Sequence, residues 1–203
     1  MPDIYSLILN IDEQLLLFIN GLHTPFLDTI MWQFSGRYFW LPLYMVLLIL
    51  LFRKVGIKKG VVCVILLSLM IFSADQLCSS VIRPVIGRLR PSSPLNPISS
   101  LLHFVNDSRG GIYGFPSCHA ANSFAIVSFL SLLLNRRWFT IALFSWALLV
   151  SLSRIYLGFH YPTDIIAGAF LGICIGYTFY NFFKILTSLR FFAPVNNYFA
   201  EDI

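Results

Sequence analysis

Long apolar segments constrain this chain more than any other feature of its sequence. They lie at about residues 38–52, 61–82, 118–134, 138–156 and 164–186. A stretch of about 20 mostly apolar residues can cross the hydrocarbon core of a bilayer as an α-helix. Only 11% of the 203 residues are charged, whereas soluble domains carry about a quarter. The sequence therefore predicts an all-α, polytopic membrane helix bundle and excludes a soluble globular domain.

The first 35 residues are also apolar, but charged and polar side chains such as Asp12 and Glu13 interrupt them. Leu15, Leu16 and Phe18 could cover one face of a helix, which favours one or two amphipathic helices at the membrane interface. A sixth, poorly hydrophobic span is the alternative, so we expect about five to six transmembrane helices. Because no repeat or linker divides the chain, residues 1–203 are predicted to form a single membrane-embedded domain.

The basic residues indicate how the chain is oriented in the membrane. Three groups of them lie in or beside short connections: Arg53, Lys54, Lys58 and Lys59; Arg136 and Arg137; Lys184 and Arg190. Short loops rich in lysine and arginine remain on the cytoplasmic side. Segments 83–117 and 154–163 are then predicted to lie outside. This distribution accounts for much of the net charge of +5, and we expect no nucleic-acid partner.

The predicted outer segments nevertheless carry several arginines, although the orientation rule disfavours cations there. They are Arg83, Arg88, Arg90, Arg109 and Arg154. Arginine presents a planar fork of donors that matches the oxygens of a phosphate and stays charged at any physiological pH. These arginines therefore suggest an anion-binding site on the outer face.

Two histidines accompany these arginines. His119 follows Pro116-Ser117, which is typical of a helix start with serine as the N-cap residue. The amide groups and the dipole at such an end favour a bound anion. His160 precedes Asp164 by four residues, so the carboxylate could hold one imidazole nitrogen and leave the other free to attack.

A metal site is the alternative interpretation of a histidine–carboxylate pair. The outer segments offer few further carboxylates, and we therefore expect no metal and no cofactor. The four cysteines lie in or beside apolar segments, without the spacing of a metal site or a disulfide framework.

Three spaced motifs resemble those of the type 2 phosphatidic acid phosphatase superfamily. Arg83-x6-Arg90-Pro91 is similar to the family pattern Lys-x6-Arg-Pro, and Pro116-Ser117-Cys118-His119 to Pro-Ser-Gly-His. Ser153-Arg154-x5-His160-x3-Asp164 matches the third motif completely. The match covers about residues 83–164 and departs from the family at Arg83, which replaces lysine, and at Cys118, which replaces glycine.

The resemblance implies a metal-independent phosphoric ester or diphosphate hydrolase that acts through a phosphohistidine. It assigns His160 as nucleophile, Asp164 as the residue that orients it, and His119 as general acid. The substrate-binding groups that it implies are Arg83, Arg90, Arg154 and the backbone near Ser117 and Cys118.

Membrane members of the family act on phosphorylated lipids. On this basis we expect a lipid phosphatase at the outer leaflet, with undecaprenyl diphosphate as the first candidate substrate. Lipid A and phosphatidylglycerol phosphate are the alternatives. The location expected from the family is a bacterial inner membrane, with the active site facing the periplasm or cell exterior. The competing hypothesis from another class is a phospholipid-binding or transport protein without turnover. The sequence does not indicate an oligomeric state.

Overall fold

The structure, a computed structural model, describes residues 3–189, and the regular secondary structure of this part of the chain is helical apart from one isolated bridge between Leu89 and Tyr113. The α-helices are α1 (Ile4–Gly21), α2 (Pro25–Ser35), α3 (Leu41–Gln76), α4 (Arg83–Ile86), α5 (Cys118–Leu134), α6 (Arg137–Tyr156) and α7 (Pro162–Ser188). A π-helical segment, Leu77–Ile82, joins α3 to α4, and two short 3₁₀ turns lie between α4 and α5. Arg190, one of the cations used above for orientation, lies outside the described residues.

Helix α3 reverses direction at Gly56, which adopts a φ of 77° that side chains rarely allow. A β-carbon placed on Gly60 would lie 2.4 Å from the ring of Phe52. Tyr44 and Ser68, which are also equidistant from Gly56, line the same cavity. The two arms of α3, 41–55 and 57–76, are therefore antiparallel. The sequence predicted a longer connection at 53–60, but one glycine is enough to turn the chain.

Within residues 3–189, three helical elements are long and apolar enough to cross a membrane: Leu41–Ile86, Arg137–Tyr156 and Pro162–Ser188. Cys118–Leu134 is a shorter apolar helix and has the bounds that the sequence predicted. Many large apolar side chains on these helices are exposed at the surface of the protein, among them Phe72, Leu148 and Phe170. This distribution is that of a bundle surrounded by lipid, and it confirms the all-helical membrane class.

The tightest helix contact in the bundle joins α5 to α7. Gly168, Gly172 and Gly176 of α7 face the carbonyl oxygens of Ser117, Ala121 and Ala125 in the same order. A β-carbon on these glycines would lie 2.4, 2.2 and 2.5 Å from the respective oxygens. Small residues at four-residue spacing allow two membrane helices to approach closely. The two helices run parallel, so their N-termini meet at the same end of the bundle.

Helix α1 lies across that same end of the bundle. Asp12 contacts Thr163 at the start of α7, while Asn20 contacts the Tyr156 carbonyl at the end of α6. Leu16, between them, is fully buried, whereas Ile4 and Phe18 on the outer side are exposed. The described part of the first 35 residues thus forms two helices, α1 and α2, and neither is among the three long apolar elements.

Candidate active site

A cavity of about 830 Å³ lies between α3, α5 and α6, at the end of the bundle that is called the outer end here after its predicted orientation. Five of the residues identified from the sequence line it: Arg83, Arg90, Cys118, His119 and His160. It also extends along the bundle between α3, α5 and α6, past apolar side chains such as Trp146 and Val150. Charged groups therefore occupy one end of the cavity and apolar groups the other, which suits an amphipathic ligand.

His160 is held in the connection between α6 and α7 and is only 1% exposed. Its Nδ1 atom lies 3.4 Å from Oδ2 of Asp164, which is fully buried. This separation is longer than a well-formed hydrogen bond, and catalytic hydrogen bonds commonly shorten when substrate binds. Oδ2 also accepts the backbone N–H of Tyr161 at 3.0 Å, which caps α7. The start of α7 thus places the carboxylate beside the imidazole.

The surroundings of His160 keep its imidazole neutral. Burial lowers the pKa of His160 well below its usual value, and the positive charges of Arg90, Arg154 and Arg83 lower it further. A backbone hydrogen bond with Gly114 acts in the opposite direction but does not outweigh these effects. At neutral pH the ring therefore retains a lone pair, as a nucleophile requires.

Arg83 and Arg90 form the cationic wall of the cavity. Arg83 donates to the Pro116 carbonyl at 3.2 Å and to the Cys118 sulfur at 2.9 Å. Arg90 donates through Nε to the Tyr113 carbonyl at 2.8 Å. Burial lowers the pKa of Arg90, and the neighbouring charge of Arg83 lowers it further. A phosphate between the two guanidinium groups would offset this repulsion.

The N-terminus of α5 forms the adjacent wall. Ser117 is the N-cap residue, and its Oγ accepts the Ala120 N–H at 3.4 Å. The Ser117 N–H is itself donated to the Asp164 carbonyl at 3.0 Å, so Ser117 links α5 to α7 instead of lining the cavity. The N–H groups of Cys118 and His119 belong to the first turn, which has no intrahelical acceptors for them.

Arg154 does not line the main cavity with Arg83 and Arg90. It is buried and donates to the hydroxyl of Ser35 in α2, with its guanidinium carbon 4.3 Å from the ring centre of Phe159. It lines a second cavity of about 460 Å³ together with Trp32 and Arg109. Ser35 and Gly36 line both cavities, so this short segment separates them.

Three residues near the site were not assigned from the sequence. Arg37 lines the main cavity from the α2–α3 connection. Arg88 donates to Asp164 Oδ1 at 2.9 Å and to Asp12 Oδ2 at 2.6 Å. Arg88 was noted only as one of the outer arginines, and Asp12 only as an interruption of an apolar segment. A sequence signal does exist for Asp12, because it lies four and eight residues from Leu16 and Asn20, on one helix face.

The family of the chain follows from comparison with known proteins. The model of the PAP2 superfamily matches residues 60–188, which is more than half of the chain. The chain belongs to the PAP2 superfamily, as its motifs indicated. It is therefore a membrane phosphatase, that is, a phosphoric ester hydrolase.

Curated relatives extend the match beyond the motifs. The chain is 48% identical to a lipid A 4'-phosphatase of Bacteroides thetaiotaomicron, over 84% of this chain and 76% of the relative. It is 34% identical to a lipid A 4'-phosphatase of Porphyromonas gingivalis, over 86% and 73%. An undecaprenyl-diphosphatase of Sulfolobus acidocaldarius is 33% identical, over 71% of this chain and 64% of the relative.

A solved structure shares the fold. The transmembrane PAP2-type phosphatidylglycerolphosphate phosphatase of Bacillus subtilis superposes with a TM-score of 0.69, over 91% of this chain and 90% of that one. At 22% identity, this likeness concerns the arrangement of helices alone.

Proposed function

We propose that this chain removes a phosphate group from a lipid of the lipid A class through a phosphohistidine at His160. The observation that carries the proposal is that one cavity brings His119 and His160 together with Arg83 and Arg90, with Asp164 directly behind His160. A nucleophile, an acid and a pair of cations are the groups that phosphoryl transfer to a side chain requires.

In the first step His160 attacks phosphorus with its Nε2 lone pair, while Nδ1 faces Asp164. The bond from phosphorus to the lipid oxygen breaks, and His119 donates a proton to that oxygen. General acid catalysis of this kind contributes about 10²–10⁴-fold. In the second step water attacks the phosphohistidine, His119 accepts its proton, and inorganic phosphate leaves. Neither step uses a metal ion or a cofactor.

Charge stabilisation is the task of the cations and the amides around the cavity. We assign the phosphoryl oxygens to Arg83, Arg90 and the first-turn N–H groups at Cys118 and His119. Arg154 supplies a third positive charge from the side of the smaller cavity. Ser117 acts through its cap, which fixes the direction of the first turn. Fixed donors of this kind favour the transition state because they need no reorganisation during the reaction.

The relatives and the second cavity support lipid A as the substrate class. Sequence alone favoured undecaprenyl diphosphate, but the relatives named lipid A 4'-phosphatase match this chain at higher identity and over more of its length. The cavity beside Arg154 combines an aromatic side chain, Trp32, with polar groups of Gln33 and Arg109. Such a mixture suits the hydroxyl groups and apolar faces of a sugar headgroup. Undecaprenyl diphosphate remains the second candidate because a relative named undecaprenyl-diphosphatase also matches.

We further propose five membrane spans: the two arms of α3, then α5, α6 and α7. The basic residues around Gly56, and the pair Arg136 and Arg137 between α5 and α6, then lie at the end of the bundle away from His160. The positive-inside rule places that end in the cytoplasm. His160 would face the periplasm or cell exterior of a bacterial inner membrane, with α1 lying at the interface.

A phospholipid-binding or transport protein without turnover is the competing hypothesis. Binding alone requires the arginines but no acid beside a neutral, oriented histidine. Replacement of His160 separates the two, because a binder would keep its ligand and its function.

The test is phosphate release by the purified protein in detergent. The panel contains lipid A, undecaprenyl diphosphate, phosphatidylglycerol phosphate and phosphatidate, each with and without EDTA. We expect EDTA-resistant release from lipid A, lost in His160→Ala. His23→Ala is the matched control, since His23 stacks on His103 outside the cavity lining. Release that EDTA abolishes would contradict the metal-independent mechanism, and equal release from all four lipids would contradict the substrate assignment.

A further inference from the structure

Arg88 bridges two buried carboxylates that belong to distant parts of the chain. Its Nη1 atom lies 2.9 Å from Oδ1 of Asp164, and its Nη2 atom lies 2.6 Å from Oδ2 of Asp12. The Asp164 side chain is fully buried and that of Asp12 is 2% exposed. One guanidinium group thus connects α1 to the carboxylate that faces His160.

Asp12 is held as firmly as Asp164. Its Oδ1 accepts the backbone N–H of Thr163 at 3.0 Å, and its Oδ2 accepts the Thr163 hydroxyl as well as Arg88. The Arg88 guanidinium carbon also lies 4.2 Å from the ring centre of Tyr161. Arg88 is therefore fixed on one side by Asp12 and against the aromatic ring of the residue that follows His160.

This arrangement decides which Asp164 oxygen remains for His160. Arginine prefers to bind a carboxylate through two parallel hydrogen bonds. Here the second guanidinium nitrogen is committed to Asp12, so Arg88 holds Oδ1 alone. Oδ2 then stays with the Tyr161 N–H at 3.0 Å and with His160 Nδ1 at 3.4 Å. Without Asp12, Arg88 would be free to take both oxygens and draw Oδ2 away from the imidazole.

We propose that Asp12 and Arg88 are positioning residues for the nucleophile, and that α1 is therefore part of the catalytic apparatus. The inference rests on the proposed role of His160. It extends the site beyond residues 60–188, which the family model matches, because Asp12 lies in the first helix. Asp12 touches neither the cavity nor His160, and we assign its effect on Asp164 to Arg88, with Thr163 as its second partner.

The test compares kcat and KM for Asp12→Asn, Asp12→Glu and Glu13→Gln on the lipid that the wild-type protein hydrolyses best. Asp12→Asn nearly preserves volume but weakens the hold on Arg88. We expect kcat to fall about 10- to 100-fold, as small misplacements of reacting groups do, with KM within about 3-fold. Asp12→Glu should recover part of kcat. Glu13→Gln, an exposed neighbour on the same helix, should match wild type.

Two further measurements distinguish a role of Asp12 in positioning His160 from a role in holding α1 against the bundle. Thr163→Val removes the hydroxyl that donates to Asp12 and accepts from Arg88 Nη1 at 2.6 Å, but it leaves both ion pairs of Arg88 in place. The fall in kcat should therefore be smaller than in Asp12→Asn at a similar melting temperature. In the Asp12→Asn/Arg88→Gln variant the losses in kcat should not multiply, because both changes break the same bridge.

Asp12→Asn with wild-type kcat would overturn the inference. Loss of kcat that follows only the loss of folded protein, equally in Asp12→Asn and Thr163→Val, would overturn it too. Failure of the proposed function would give a different result, because His160→Ala would then retain activity regardless of how the Asp12 substitutions affect kcat.

Discussion

The α5–α7 contact and the polar network at the outer end of the bundle both position the candidate active site, but by different physical means. The α5–α7 contact is made by backbone and small side chains, with Gly168, Gly172 and Gly176 against carbonyl oxygens of α5. The outer network is made by side chains far apart in sequence, such as Asn20 with Tyr156 and Arg88 with Asp12. The first brings the two helix starts together, and the second sets the orientation of groups on them.

Because the two regions are held together differently, we expect them to tolerate different kinds of mutation. Close helix packing leaves no room for an added atom, because protein interiors are packed as densely as organic crystals. A hydrogen-bond network tolerates changes in volume but not the loss of a partner, since an unsatisfied buried group is costly. The α5–α7 contact should therefore fail through sterics, and the outer network through unpaired polar groups.

The largest effect is expected at the α5–α7 contact. In Gly172→Ala the new β-carbon would lie 2.2 Å from the Ala121 carbonyl oxygen, and a backbone atom cannot move aside as a flexible side chain can. We expect destabilisation of about 1–3 kcal/mol or more, measured by thermal unfolding in detergent, together with loss of activity. Gly21→Ala is the control, because nothing lies within 4 Å of its β-carbon position. A Gly172→Ala protein as stable as wild type would show that the helices are not in close contact.

In the outer network the expected effect is smaller because it concerns stability alone and not kcat. Asn20 is 3% exposed, and its amide donates to the carbonyls of His103 and Tyr156 while accepting the His103 N–H. Asn20→Ala leaves these backbone groups unsatisfied, which costs about 1–3 kcal/mol. Because Asn20 does not touch His160 or Asp164, kcat per folded molecule should stay near wild type. Asn10→Ala, an exposed position of the same helix, should melt at the wild-type temperature, and an equal loss at both positions would contradict the role given to Asn20.

The smallest effect, a change in pH dependence, is expected at Arg154, which donates to Ser35 between the two cavities. Burial and the charges of Arg90, Arg154 and Arg83 lower the pKa of His160. Removing one cation in Arg154→Gln makes the protonated imidazole less unfavourable, so the pKa of His160 should rise. The acid limb of the pH profile of kcat/KM should then move to higher pH, in addition to any overall loss of activity.

The pH dependence of kcat/KM measures this shift. Arg136→Gln removes a cation at the junction of α5 and α6 and should leave the limb in place. An acid limb that does not move in Arg154→Gln, or moves to lower pH, would show that Arg154 does not act electrostatically on His160.

Much of the fold was predictable because its signals are local. Pro116-Ser117 marks the start of α5, and Asn135, with a φ of 48°, ends it, so the predicted bounds of α5 were confirmed. The sequence predicted the position of the turn at Gly56 correctly, but it predicted a longer connection than the structure has. Apolar patterning locates a break in a helix, whereas the number of residues in the turn depends on the backbone angles of one glycine.

The candidate site was predictable only where a motif specifies it. The motifs identified five of the residues that line the main cavity, and the catalytic roles of these five remain predictions. They did not indicate that Arg154 would pair with Ser35, 119 residues away, or that Arg88 would bridge to Asp12. Such pairs depend on which helix crosses which end of the bundle, and no local pattern of apolar residues contains that information.

The π-helical segment at Leu77–Ile82 has a consequence for the rotation of the helix that carries Arg83. Asp75, Ser79 and Arg83 all line the cavity, although eight residues of regular α-helix would leave Arg83 about 80° out of line with Asp75. A π-turn absorbs one extra residue and so reduces this offset to about 20°. The widened turn therefore sets the angular phase of the outer end of the helix. Deleting one residue there would remove the π-turn but keep the direction of Arg83, because seven residues of regular α-helix also leave an offset of about 20°. Converting the turn to regular α-helix without a deletion would instead rotate Arg83 by about 100° and carry its guanidinium group away from the cavity.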